Sequence, residues 1–139
     1  MNFKVSALVF ASVCITLVVG QYTEKYKELV LRAADNCANS TGATKGDVEN
    51  VAMHKPLETY TQACFQYCTY HYYDIQNWRQ VNNVDHVLPF YEAVHEGDEE
   101  RLQRGAQIVL ECLNAGRAAR STNDSCLIAK AIQECFNNN

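Results

Sequence analysis

The stretch Ala63-Cys64-Phe65-Gln66-Tyr67-Cys68 decides the fold. It sets two cysteines four residues apart inside a segment of helical periodicity. At that spacing both side chains fall on one helix face, a turn apart. Their Cβ atoms are then about 5.5 Å apart, against the roughly 3.8 Å a disulfide prefers, so each reaches for a different partner. A helix tied twice through one face is a spine to which other helices must come.

Working outward, the same periodicity predicts those helices. Tyr22, Tyr26, Leu29, Val30, Ala33 and Cys37 recur at helical spacing before Asn39-Ser40-Thr41-Gly42 stops the run. A short, weaker helix is expected from Lys45 to Ala52. Pro56 suits the first turn of the cysteine-bearing helix, whose inner face reads as Leu57, Tyr60, Cys64, Tyr67, Cys68 and His71. The polar run from Asn77 to Asp85 reads as a loop, and Pro89 opens a fourth helix to about His95. Gly97-Asp98 caps a fifth, from Glu99 to Asn114, with an inner stripe of Leu102, Ala106, Val109, Cys112 and Leu113. Asn123-Asp124 starts a sixth, with Ile128, Ala131, Ile132, Cys135 and Phe136 inside. No stretch alternates at period two long enough to make a strand, so the expected class is all-α with six helices.

The beginning of the chain reads differently. Met1-Asn2-Phe3-Lys4 is a short basic start, Val5 to Val19 is almost wholly apolar, and Val18-Val19-Gly20 has the small residues of a cleavage site. Residues 1–20 are therefore expected to be a secretory signal peptide, with one domain over 21–139. The apolar run is shorter than the roughly twenty residues of a membrane span, so no membrane insertion is expected. Without Lys4 the chain carries 11 basic and 16 acidic residues. That mild acidity, with no basic block, excludes a nucleic-acid footprint. Cys14 goes with the leader, and six cysteines remain: Cys37, Cys64, Cys68, Cys112, Cys126 and Cys135. An even count in a small extracellular chain implies three disulfides. Cys126 and Cys135, roughly 13.5 Å apart along one helix, do not pair with each other. Excluding that pair and Cys64 with Cys68 leaves ten of the fifteen possible pairings open. Asn39-Ser40-Thr41 is also a glycosylation sequon, read as lying in a surface loop.

Taken whole, the spacing is C-x26-C-x3-C-x43-C-x13-C-x8-C. In an all-helical secreted chain of this size, the x3 and x8 intervals resemble the insect odorant-binding proteins of the six-cysteine pheromone and general odorant-binding type. The resemblance runs from Tyr22 to Phe136. The x43 interval is long for that pattern, so the region near Asn77 to Val84 is expected to differ from typical members. The resemblance implies an interlocked pairing: Cys37–Cys68, Cys64–Cys126 and Cys112–Cys135. It also implies a six-helix fold that encloses an apolar cavity and reversibly carries a small apolar ligand such as an odorant or pheromone, with no cofactor. A membrane receptor is a candidate partner, and the carrier is a monomer or homodimer. The inward stripes nominate Tyr26, Val30, Tyr60, Tyr67, His71, Phe90, Val94, Leu102, Ala106, Val109, Ile128 and Ile132 as its lining. Each of these is equally a plain core residue on its pattern alone.

Other functions leave marks that this chain lacks. Disulfides consume the six cysteines, leaving no thiol nucleophile, and no histidine pair has the spacing of a zinc helix. Helical secreted phospholipases use adjacent Cys-Cys and His-Asp pairs, whereas His71 here precedes Tyr72-Tyr73. No enzyme is expected and no metal site. The alternative keeps the fold and changes the cargo: a salivary, haemolymph or seminal member that sequesters a biogenic amine or a lipid mediator. An amine needs a carboxylate facing the cavity, and the inner faces assigned above hold none. In long-tailed relatives the segment after the sixth cysteine enters the cavity as pH falls. Here Phe136-Asn137-Asn138-Asn139 follow Cys135, too few for a stable helix. Any pH dependence is then expected from His71, His86 or His95, with a sign the sequence does not reveal.

Overall fold

The computed structural model describes residues 24–139; the expected leader, the cleavage point and Tyr22 lie outside them. Helix α1 covers residues 24–41, followed by α2 (Lys45–Ala52) and α3 (Tyr60–Tyr72). A short hairpin, β1 (Gln76–Asn77) and β2 (Gln80–Val81), leads into α4 (Val84–Val94). Helix α5 (Glu99–Ala118) continues into a 3₁₀ turn, Ala119–Thr122, before α6 (Ser125–Asn137). The fold is all-α.

Most helix starts follow from their caps. Thr44 and Asp47 form a reciprocal capping box on α2. Asp98 accepts from Arg101 N on α5, and Asp124 accepts from Cys126 N and Leu127 N on α6. Two starts differ from expectation. Helix α3 begins at Tyr60, not Pro56, because Thr59 is its N-cap and accepts from Gln62 N. The Gln62 side chain accepts from Glu58 N, which holds the preceding segment extended with Leu57 buried. Helix α4 begins at Val84, where the Asn83 side chain accepts from His86 N, so Pro89 lies inside the helix instead of opening it. Its ring removes the donor to the Asp85 carbonyl, at a cost limited because both residues are exposed.

The expected loop from Asn77 to Asp85 is also corrected. Gln76 pairs with Val81 and Asn77 with Gln80 in an antiparallel hairpin too short to register as alternation. The sequon is corrected as well: Asn39 is exposed but sits in the last turn of α1, where Ser40 and Thr41 hydroxyls donate to the Cys37 carbonyl.

The disulfides join Cys37 to Cys68, Cys64 to Cys126 and Cys112 to Cys135, the pairs the family resemblance implied. They staple α1 to α3, α3 to α6, and α5 to α6. Between the staples the apolar residues form two clusters. One gathers α1, α2 and α3 around Val30, Ala33, Val51 and Phe65. The other gathers α4, α5 and α6 around Val87, Val109, Leu113, Ile128 and Ile132. Phe90 and Tyr73 touch both clusters.

Candidate functional site

At the seam of the two clusters lies a cavity. Its walls are Tyr26 of α1, His54, Tyr70 of α3, Val87, Phe90, Tyr91 and Val94 of α4, His95, and Gln133 and Phe136 of α6. Seven of these ten residues carry rings, and none is Asp or Glu. Rings are stiff and awkward to interdigitate, and here they meet edge-on or tilted. Tyr26 and His54 are T-shaped at 4.4 Å, and Tyr91 and His95 lie tilted at 4.2 Å. The remaining room is about 30 Å³, the space of a water molecule or two.

One end of the cavity is polar. Gln133, buried on α6, accepts at Oε1 from the Tyr70 hydroxyl and, at 3.3 Å, from Tyr26. Its Nε2 donates to Asn137 Oδ1 at 2.9 Å and faces His54 Nε2 at 3.3 Å. The amide is thereby saturated at both ends. The Tyr26 hydroxyl also approaches Gln66 Oε1 at 3.2 Å. For Gln133 Nε2 to donate to His54, the imidazole Nε2 must carry no proton. A charged ring would set N–H against N–H there.

The electrostatics agree. Burial pushes His54 down to about 4, and the neighbouring Arg101 guanidinium adds to the shift. Burial likewise takes His95 down to about 4, again with Arg101 acting in the same direction. Burial also raises Tyr91 above the ordinary phenol range. At neutral pH the whole lining is therefore uncharged. Among the described residues, no group of His, Cys, Asp and Glu is placed to hold a metal.

Of the residues nominated from sequence, Tyr26, Phe90 and Val94 line this cavity. Val30, Val109, Ile128 and Ile132 are fully buried within the two clusters instead. Leu102 is half-buried, and half-buried Tyr67 spends its hydroxyl accepting from Trp78 N at 2.9 Å. Three placements are corrected outright. Tyr60 is 58% exposed and donates to Asp124, while His71 and Ala106 face solvent. The cause is the buried face of α3, which is Gln62, Ala63, Phe65, Gln66, Thr69 and Tyr70. Three of those six are polar: Gln62 bonds Asn50 and Asp47, Thr69 donates to the Phe65 carbonyl, and Gln66 accepts from Tyr26 while its Nε2 is buried without a partner among the described residues, so polarity misreports which face is inside. On α5 the buried stripe runs through Gly105 and Gly116, residues a hydrophobicity pattern does not count. His54, Tyr70, Val87, Tyr91, His95, Gln133 and Phe136 join the lining without having been nominated. His95 and Phe136 were singled out only as titratable or inward-facing. His54 follows the short helix α2 at φ +61°, a backbone state that no pattern announces.

Known proteins match this geometry and sequence. A Drosophila melanogaster protein, general odorant-binding protein 19d, is 28% identical over 103 residues, covering 74% of this chain and 66% of that protein. The chain thus spans just under two thirds of that relative's length. In structure it resembles a pheromone-binding protein from the cockroach Leucophaea maderae, solved in complex with the fluorescent reporter ANS. The TM-score is 0.72 at 23% identity, over 84% of this chain and 96% of that one. It also resembles the Drosophila melanogaster odorant-binding protein dmelOBP28a, with a TM-score of 0.62 at 21% identity over 80% and 88% of the two chains. The model of the PBP/GOBP family matches residues 20–139, which with the three staples and the six-helix fold means that the chain belongs to the PBP/GOBP family.

Proposed function

We propose that this protein is a secreted carrier that reversibly binds a small, neutral, largely apolar molecule in the ring-walled cavity between its two clusters. The observation that carries this reading is the lining itself: seven rings, no carboxylate and one amide–hydroxyl knot. Pockets of this kind take an apolar body through the rings and fix its orientation through a few polar groups. A guest of about 15 heavy atoms at roughly 0.5 kcal/mol per atom reaches about −7.5 kcal/mol, a micromolar affinity that permits release. The reading includes secretion through residues 1–20, no catalysis, and a sequon at Asn39 exposed for modification. Among the described residues no helix is long and apolar enough to cross a membrane.

Sequestering an amine is the weaker reading, because an ammonium in this cavity meets no anion and would stay unpaired at high cost. Displacement of an apolar fluorescent dye separates the two. Alcohols, esters or aldehydes of roughly ten to sixteen carbons are expected to displace it, and Phe90→Ala to weaken them several-fold. Displacement by histamine or serotonin, with the neutral compounds inactive, overturns the reading.

A further inference from the structure

The tip of the β1–β2 hairpin has no part in the cavity, yet it is carefully held. Trp78, the chain's single tryptophan, is 71% exposed there at φ +56°. Its amide donates to the Tyr67 hydroxyl at 2.9 Å. Buried Gln76 donates through Nε2 to the Trp78 carbonyl at 2.8 Å and to the Ser125 carbonyl at 2.9 Å, tying the tip to the start of α6. An indole displayed in water on an anchored backbone has little backbone freedom left to lose on binding, which favours its use as an interface anchor.

The arginines single out the same place. Among the described residues, Arg32, Arg101 and Arg104 are ion-paired, and Arg79, Arg117 and Arg120 are not. These last three converge on the hairpin. Arg79 and Arg120 border an open groove of about 430 Å³ with Trp78 and, among the described residues, no carboxylate, while Arg117 borders a second of about 370 Å³ on the other flank together with Asp74. Asn77 and Gln80 belong to both grooves. Arg79 donates to Asn123, and Arg117 to Asn114 and the Asn82 carbonyl, so both guanidinium groups are positioned. The opposite end of α5 is acidic, with Glu92, Glu96, Glu99 and Glu100 exposed. An acidic partner is therefore disfavoured at that end, and the groove beside Trp78, lined by Arg79 and Arg120 without a carboxylate, is where it is favoured.

We propose that this tip docks an acidic, extended segment of another protein, with the Trp78 indole as anchor and Arg79 and Arg120 as carboxylate partners. The grooves are too open to enclose a small anion. A lipid surface is disfavoured because the indole's neighbours in the hairpin are Asn77, Arg79 and Gln80, with no second apolar side chain to insert. Amides beside arginines suit a peptide, whose backbone and carboxylates they can bond together.

Because Trp78 is the only tryptophan, its indole N–H resonance and its emission report on this site alone. The disulfide-bonded chain is titrated with a short synthetic peptide of glutamates around a central Phe-Leu pair, and with its counterpart bearing lysine in place of each glutamate. The acidic peptide is expected to shift the indole signal saturably, less so at high salt, and the lysine peptide not to. Arg120→Glu is expected to weaken binding about tenfold or more. Arg120→Lys should retain part of it, and displacement of an apolar dye from the cavity should be equal in all variants. The proposal is overturned if the acidic peptide leaves Trp78 unmoved, or if the lysine peptide binds equally. It is also overturned if vesicles of phosphatidylcholine and phosphatidylserine shift Trp78 emission where the peptide does not.

Discussion

His54 and His95 are the two histidines in the cavity wall. Both are held near pKa 4 in the folded state, chiefly by burial, against about 6.5 in an unfolded chain. The unfolded chain therefore binds more protons between those values, and stability falls as pH drops from about 6.5 toward 4. The same protonation places charge in the wall of an apolar cavity and breaks the Gln133–His54 contact. Affinity for a neutral apolar ligand is expected to hold until pH falls below about 5 and then to drop as the folded-state values near 4 are approached, and His54→Gln with His95→Gln to flatten that drop. Dye binding measured from pH 7.5 to 3.5 checks it; an unchanged slope in the double variant removes these two side chains as the cause. His71 and His86, both exposed, are expected to leave the profile alone when changed.

The α5–α6 pair shows how little slack one helix interface has. A Cβ placed on Gly116 lies 2.5 Å from Ile132 Cγ1 and 2.8 Å from its Cδ1. Isoleucine on a helix has essentially one χ1 state, so it cannot swing away, and Cys112–Cys135 limits how far the helices separate. Gly116→Ala gains about 1 kcal/mol of helix propensity but overpacks at about 1–3 kcal/mol. A net loss of about 1 kcal/mol is expected by urea unfolding. Ile132→Ala removes both clashing carbons, so the double variant should lose less than the sum of the two single losses, and additive losses would show that the two positions do not touch. Gly105, against the Tyr91 ring at 3.2 Å, is the gentler case.

Across the whole molecule the disulfides carry what a divided core cannot. The apolar residues are split between two clusters, and a chain this small has little burial to spare. Chain entropy ranks the staples by the loops they close. Cys64–Cys126 spans 62 residues, Cys37–Cys68 31 and Cys112–Cys135 23. The first is worth about 4 kcal/mol and the last about 3 kcal/mol. Paired replacement by alanine should therefore cost most at Cys64 and Cys126, read from denaturant midpoints. A larger loss at Cys112 and Cys135 would place the effect in native packing and not in the unfolded chain.

What the sequence by itself determined is the set of helices and the ties between them. Periodicity and capping residues act locally, so Thr44, Asp98 and Asp124 announce helix starts wherever the chain goes afterwards. The cysteine spacing marks α3 as the doubly stapled helix, since two cysteines a turn apart need two partners. Only the tertiary structure decided which faces turn inward and what lines the void. Gln62 and Thr69 are buried with hydrogen bonds formed on folding, Gln66 is buried with its carbonyl bonded to Tyr26, and Tyr60 is exposed with its hydroxyl on Asp124. The wall brings residue 26 to residue 133 and residue 54 to residue 133. Such pairings are long-range, so no window of sequence contains both halves. The sign of the acid response follows from the same fact, because a histidine's pKa is set by what buries it and not by its neighbours in the chain.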